Sequence, residues 1–228
     1  MNTTVSTTVN AGQPGFFDIP GYLGTFSGLL TQHLTMALSA ALLGLAVAIP
    51  LGIACVRWTN LYPPVLGTTS VLYSIPSLSL FVFLINYTGL SELTVVIPLT
   101  LYTLAVLVPN VVDGMRGVPA DTRTAATALG LSPLRCVLAV ELPLALPAII
   151  AGLRVAVVSN ISMVSIGALI GLGAFGTLFT AAAQLDRPDL AVTGIVISVG
   201  MALVCDLFLI LLGVALTPWT RASRGGAG

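Results

Sequence analysis

Long stretches without a single charge, separated by short clusters of Arg, Asp, Glu and Pro, make up most of this chain. Residues 34–56 hold no charge, and neither do residues 58–91. The hydrocarbon core of a bilayer is about 30 Å thick and a helix rises about 1.5 Å per residue, so about 20 apolar residues cross it. The pattern therefore predicts five crossings. They fall at residues 34–56, 64–86, 93–112, 148–172 and 190–217. Pro63 and Pro64 open the second, Arg154 lies near the start of the fourth, and Asp206 interrupts the fifth. Residues 1–20 are polar and end in Gly and Pro, which predicts a flexible extracytoplasmic tail. They lack a basic region followed by an apolar run, so no cleaved signal is expected. Residues 21–32 predict a short interfacial helix with Tyr22, Phe26, Leu29 and Leu30 toward lipid. Residues 218–228 complete the chain as a second tail.

Composition reinforces the pattern. The chain is 57% hydrophobic and 7% charged, with a mean hydropathy of +1.06. A soluble domain carries about a quarter charged residues, so this chain is read as an all-α integral membrane protein. The formal net charge is zero, which gives no reason to expect nucleic acid or another polyanion as a partner. Cys55, Cys136 and Cys205 are far apart and follow no metal-ligand spacing, so they read as small buried apolar residues. No metal site is expected.

The basic residues choose the sides. Arg57 follows the first crossing, Arg116, Arg123 and Arg135 lie between the third and fourth, and Arg221 and Arg224 follow the fifth. All six fall on one side, which the excess of Arg in cytoplasmic loops marks as the cytoplasm. The other side holds Asp18, Glu92, Asp186 and Asp189 with only Arg187. The expected topology is N-terminus outside and C-terminus inside. Small residues recur at every fourth position, at Ala40, Gly44, Ala48 and Gly52 in the first crossing and at Gly194, Ser198 and Ala202 in the fifth. Such stripes let helix backbones approach closely, and packing within one bundle is favoured over a subunit interface.

Residues 113–147 form the cytoplasmic loop before the fourth crossing, and they are densely punctuated. Pro119 can open a helix, because its missing N–H is unpaired there anyway. Good helix formers follow to Gly130, a left-handed stop. Ser132 is a good N-cap and Pro133 sits at the next, first helical position. A second short helix is expected to run to about Glu141, with Pro143 and Pro147 ending it. The result is two short helices joined at a sharp bend.

The spacing in this loop resembles the EAA motif of the permease subunits of ABC importers. That motif reads Glu-Ala-Ala, three residues, Gly, nine residues, Ile, one residue, Leu-Pro. Here Thr124-Ala125-Ala126, Gly130, Val140 and Leu142-Pro143 keep the register, with Thr124 in place of Glu and Val140 in place of Ile. The rest of the chain is similar to the permeases for glycine betaine, choline and carnitine. The shared order is PLGI, YSIPSLSL, Pro109-Asn110, ELPLALPAIIAGLR and IGLGAFG, over about residues 30–216.

The resemblance implies the type I importer fold, a bacterial cell membrane location and an osmoprotectant path. It also implies a second permease subunit, a pair of ATP-binding subunits below and a substrate-binding protein above. The chain has no Walker A pattern, so ATP and Mg would belong to the partner subunits and the chain itself is no enzyme. The resemblance assigns ATPase coupling to Thr124, Ala125, Ala126, Leu129, Gly130 and Leu131. The small residues among them would let the partner approach closely. Arg123 and Arg135 can pair with acidic groups at the groove's rim, or serve as basic anchors.

Several polar groups in the crossings need partners. Asp206 inside a membrane is costly, and Arg154 is its intramembrane candidate. A structural pair, or a protonated Asp206 bonded to a neighbouring helix, is favoured over a transport role. Asn160 must either bond across helices or line a path, and Tyr73 and Ser74 beside Pro76 share that ambiguity. Tyr73, Ser74, Asn160 and Met163 are therefore the candidate path residues. Carbonyls freed by Pro76 can be satisfied by nearby serines. His33 is read as an interfacial residue capping the first crossing. IGLGAFG, with no strand before it, reads as a tight outer turn, and TLFTAAAQLDRPD as an outer helix. The alternatives are a permease for another small polar solute, or an ion-coupled transporter or channel. A membrane enzyme is disfavoured by a single His and the lack of HExxH or GxSxG patterns.

Overall fold

A computed structural model describes residues 23–219. The expected tail at 1–20, residues 220–228 of the one expected at 218–228, and Tyr22 lie outside the described residues, and with them Asp18, Arg221 and Arg224. The described helices are α1 (Leu23–Arg57), α2 (Tyr62–Ser74), α3 (Ser77–Thr88), α4 (Leu93–Arg116), α5 (Ala120–Ala128), α6 (Pro133–Cys136), α7 (Leu142–Val164), α8 (Thr177–Leu185) and α9 (Pro188–Leu216). α1 packs along α4, α4 along α7, and α7 along α9, while α2 and α3 lie against α4 and α8 against α9.

Four apolar runs are long enough to cross a membrane, and α2 and α3 together make a fifth, bent by 90°. The bent pair does traverse the bundle. At its start Tyr62 meets Arg116 from the end of α4, with the guanidinium 4.8 Å from the ring centroid. At its end the Thr88 hydroxyl lies 2.6 Å from that of Thr94 at the start of α4. A helix pair that begins at one end of α4 and finishes at the other has passed from side to side.

The close contacts fix direction as well. A Cβ on Gly44 would lie 2.3 Å from Cγ2 of Thr103, and one on Gly52 would lie 2.4 Å from Cγ1 of Val111. Eight residues along α1 match eight along α4, so the two helices run parallel. α7 runs antiparallel to α4, since Gly152 abuts Asn110 and Gly114 abuts Ala148. The stripe Ala40, Gly44, Ala48, Gly52 thus seats α1 on α4 of the same chain, with Ala40 and Ala48 fully buried. Small residues at a helix contact let backbones approach, which is the favourable term available where water cannot drive association.

The structure corrects four expectations. There is no separate interfacial helix at 21–32, because α1 is continuous from Leu23. Phe26 turns inward onto Phe175, with centroids 5.2 Å apart, and Leu29 and Leu30 pack against the core. His33 is not interfacial but fully buried. Its Nε2 donates to the carbonyl of Ile161 at 2.8 Å. That carbonyl lies where α7 tightens, the N–H of Ser165 turning to Ser162 and Met163 instead.

The second crossing is not one helix over 64–86, because it breaks at Ile75-Pro76. Proline cannot continue the hydrogen-bond ladder and disfavours helix in the residue before it. No serine satisfies the break. Ser74 bonds back to Ser70 at 2.9 Å, and Tyr102 of α4 donates to the carbonyl of Ile75 at 2.6 Å.

Finally, Pro143 and Pro147 do not end the helix after Ser132. Residues 137–141 widen into a π-turn and the chain continues directly into α7. Pro143 stands at the first turn of α7, and the wide turn ahead of it relieves the clash its ring would make with the carbonyl four residues back. The fourth crossing therefore starts at Pro133 and reaches Ile170, a run of 38 residues. Gly152, two residues before Arg154, abuts Asn110 near the end of α4, so Arg154 lies toward the knob end of the bundle, as expected.

Candidate functional site: the α5–α6 knob and the Arg154–Asp206 pair

The loop helix α5 begins after Pro119, whose φ of −57° and ψ of 139° place it just outside the helix. Asp121 in the first turn faces the positive end of the helix dipole. Thr124 and Thr127 bond back to Ala120 and Arg123 at 3.0 and 2.9 Å, so their hydroxyls are satisfied locally.

The end of α5 is a full Schellman motif. Gly130 has φ +82°, its N–H bonds the carbonyl of Thr127 at 2.9 Å, and the N–H of Leu131 bonds that of Ala126 at 3.2 Å. Only glycine adopts this backbone without strain. Ser132 then stands at the N-cap position of α6, but its hydroxyl makes no cap bond, and Pro133 does the positioning.

One face of the knob belongs to the bundle. Ala126 is buried, so its small size seats α5 on its own chain rather than making room for a partner. Arg123 also turns inward. Its Nη2 donates to the carbonyl of Met115 at the foot of α4, and its Nε lies 3.5 Å from Oε1 of Glu141. Cys136 points its thiol at the same carboxylate oxygen, 3.9 Å away. The other face is open. Thr124, Ala125, Gly130 and Arg135 are exposed, Leu129 is 81% exposed and Leu134 68%, while Leu131 is half-buried. The knob thus presents a small, largely apolar surface at the end of the bundle that also carries Arg57 and Arg116.

The candidate path residues divide. Asn160 is buried in the core and does not line an opening. Its side-chain amide donates to Thr103 Oγ1 at 3.1 Å and to the carbonyl of Ala37 at 3.3 Å, tying α7 to α4 and α1. Met163 is half-buried and packs on the core. Tyr73 and Ser74 are exposed at the break between α2 and α3, with the Tyr73 ring set edge-on to Tyr102 at 5.5 Å. His33, Tyr102 and Thr103 hold the crossings together, and sequence reasoning missed them as a group. A polar side chain at a helix position facing a small-residue stripe was the available signal.

Arg154 and Asp206 meet between α7 and α9. Nε donates to Oδ1 at 2.7 Å and Nη2 to Oδ2 at 2.8 Å. The bidentate fork is the geometry in which guanidinium and carboxylate bind most strongly. At the opposite end of the bundle from the knob, Gly171 (φ +82°) and Ala174 (φ +43°) turn the chain toward α8. A Cβ on Gly173 would lie 2.1 Å from the nitrogen of Ala168, and one on Gly176 would lie 2.2 Å from the carbonyl oxygen of Ser165. Gly173 and Gly176 serve close packing, and Gly171 the left-handed turn. Among the described residues no cluster of His, Cys, Asp or Glu could hold a metal ion.

A bundle of crossings with a bent two-helix knob at one end defines a transport permease, and the comparisons agree. Residues 47–222 match the family described as binding-protein-dependent transport system inner membrane component, and the chain belongs to that family. It is similar to the carnitine transport permease protein OpuCB of Listeria monocytogenes, 34% identical over 196 residues, with 86% of this chain and 90% of that protein covered. The osmoprotectant import permease protein OsmW of Salmonella typhimurium is 34% identical over 206 residues, covering 88% and 94%. The choline transport system permease protein OpuBB of Bacillus subtilis is 30% identical over 187 residues, covering 82% and 86%. The fold matches an inward-facing structure of the MetNI methionine ABC transporter with a TM-score of 0.75 at 19% identity, over 85% of this chain and 97% of that one. The chain is a multi-pass membrane permease subunit of the ABC importer class, which works with ATPase and substrate-binding partners.

Proposed function

We propose that this permease forms the path for a small osmoprotectant, a quaternary-ammonium or betaine-like solute. It would pair with a second permease chain, the same or related, with two ATP-binding subunits under the knobs and a binding protein at the α8 end. Its own residues bind no nucleotide, so ATP and Mg would act on the partner subunits. The exposed face of the α5–α6 knob is the observation that carries this reading. It combines a rigid bend at Gly130 with open apolar positions at Ala125, Leu129 and Leu134, the shape a soluble motor needs to grip a membrane subunit. The names of the relatives, which handle carnitine, choline and osmoprotectants, support the solute class.

Orientation follows from charge. Arg57, Arg116, Arg123 and Arg135 gather at the knob end and only Arg187 at the other, while acidic residues are as many at one end, Asp113, Asp121 and Glu141, as at the other, Glu92, Asp186 and Asp189. The knob end then faces the cytoplasm and the N-terminal end of α1 faces outward. The test is ATP-driven uptake by the complex reconstituted with its ATPase and binding protein. Glycine betaine, carnitine or choline should accumulate. Accumulation of an unrelated solute alone would reject the solute class, and uptake without ATP would reject the importer reading.

A further inference from the structure

Arg154 and Asp206 are the only charged side chains placed deep within the apolar helices among the described residues. They are also not sealed. Their side chains are 37% and 25% exposed, and both line a cavity of about 650 Å³ with Ser159, Val158 and Leu203. A second cavity of about 310 Å³ adjoins it through Val158 and reaches Ser162, Ser165, Ser198 and Phe179. A third, of about 430 Å³, shares Ser165 and Phe179 and ends at Thr180 and Gln184 on α8. The three openings string along the α7–α9 seam, from the α8 end of the bundle to the ion pair.

Two further observations bear on what fills this seam. The hydroxyls of Ser165 and Ser198 are buried there and have no hydrogen-bond partner in the chain. Buried hydroxyls are normally paired, so these two need water or a ligand. A partly open ion pair within the apolar helices cannot face hydrocarbon cheaply, and such charges turn to a bundle interior or a water-filled cavity. The seam therefore carries a few polar groups, Arg154, Asp206, Ser159, Ser165 and Ser198, in an otherwise apolar lining.

We propose that Arg154 and Asp206 form a transit subsite for a zwitterionic solute, one bearing a quaternary ammonium and a carboxylate. The inference rests on the solute class given above and assigns the subsite within this chain. A quaternary ammonium has no N–H, so it is held by charge, which Asp206 supplies at the groove it shares with Arg154. A carboxylate is held bidentately by Arg154 and by a hydroxyl donor, which Ser159 supplies in the same groove. The resting pair neutralises both charges. When a zwitterion arrives, Arg154 and Asp206 can each exchange the other for the complementary end of the solute, so that no charge is left unpaired. The cavity's volume lies within the range of small-molecule sites, about 300–1,000 Å³.

A purely structural pair makes a different forecast, because a buried ion pair can be replaced by packed apolar side chains without loss of fold. The test is therefore the double change Arg154→Met with Asp206→Leu in the complete complex, reconstituted in vesicles with binding protein. The variant should assemble and keep ATP hydrolysis stimulated by the loaded binding protein, while glycine betaine uptake falls roughly tenfold or more. Uptake equal to that of the unmodified complex overturns the subsite. If the unmodified complex takes up no quaternary-ammonium solute at all, the functional reading falls instead. Should the variant fail to assemble, Leu203→Cys decides, with Cys55, Cys136 and Cys205 replaced by Ala. A water-soluble charged methanethiosulfonate should modify it, and transported glycine betaine should slow that reaction roughly threefold. A position that never reacts, or reacts at the same rate with solute present, overturns the proposal.

Discussion

Arg123 reaches back from α5 to Glu141, its Nε 3.5 Å from Oε1, while its Nη2 holds the carbonyl of Met115. One side chain thus ties the knob to the foot of α4 and to the π-turn that starts the fourth crossing. Force applied to the knob's open face has a direct mechanical route into two crossings. The same positive charge adds to the excess of Arg at the knob end.

Arg123→Ala should therefore loosen the knob without unfolding the bundle. It removes a hydrogen bond and leaves Glu141, whose side chain is 12% exposed, without its cation. The expected loss is about 1 kcal/mol, with solvent screening counted. Thermal unfolding should show a small drop in Tm, and the number of solute molecules moved per ATP should fall. An unchanged ratio would show that the tie does not transmit force.

Gly130→Val should abolish uptake while leaving membrane insertion intact. Nothing lies within 4 Å of a Cβ at position 130, so the penalty is the left-handed backbone alone, about 1–2 kcal/mol. Gly130→Asn, which tolerates that backbone, should keep most uptake. Measuring both in vesicles, with complex assembly followed in parallel, separates backbone strain from a lost contact. Full uptake by the Val variant would show that the bend is not a lever.

Gly44→Leu should break the seat of α1. A Cβ there would fall 2.3 Å from Thr103, and overpacking a tight contact costs about 1–3 kcal/mol. The displacement also threatens Asn160, which bonds Thr103 and the carbonyl of Ala37. A lower Tm in detergent is expected, and Gly28→Leu, with nothing within 4 Å of its Cβ, is the control that should leave Tm unchanged.

Arg154→Ala and Asp206→Ala should each destabilise the protein, and the double change should cost less than the sum of the two. Groups in direct contact couple in this way, because the second removal takes away a charge already left alone. Additive losses in thermal unfolding would contradict the bidentate geometry.

Cysteine placed at Asp186 should react with a membrane-impermeant reagent in intact cells, and cysteine placed at Arg123 should not. These residues lie at opposite ends of the bundle, Asp186 beside the start of α9 and Arg123 in the knob. The reverse labelling pattern would invert the topology.

Much of this protein could be read without coordinates, because local rules govern it. Crossing length follows from apolar run length, the bend at Gly130 from the rarity of positive φ, and the gathering of Arg at one end from where charges interrupt those runs. What packing decides was not legible. Asn160, Ser162 and Met163 follow closely on one helix, yet Asn160 is in the core, Ser162 is exposed and Met163 is half-buried. Helical periodicity spaces side chains around an axis but leaves the neighbour on each face unspecified. The same limit turned Ala126 and Arg123 inward and buried His33 against Ile161. It also hid the passage of one helix through Pro143, where a π-turn, a long-range compromise between proline and packing, kept the crossing whole.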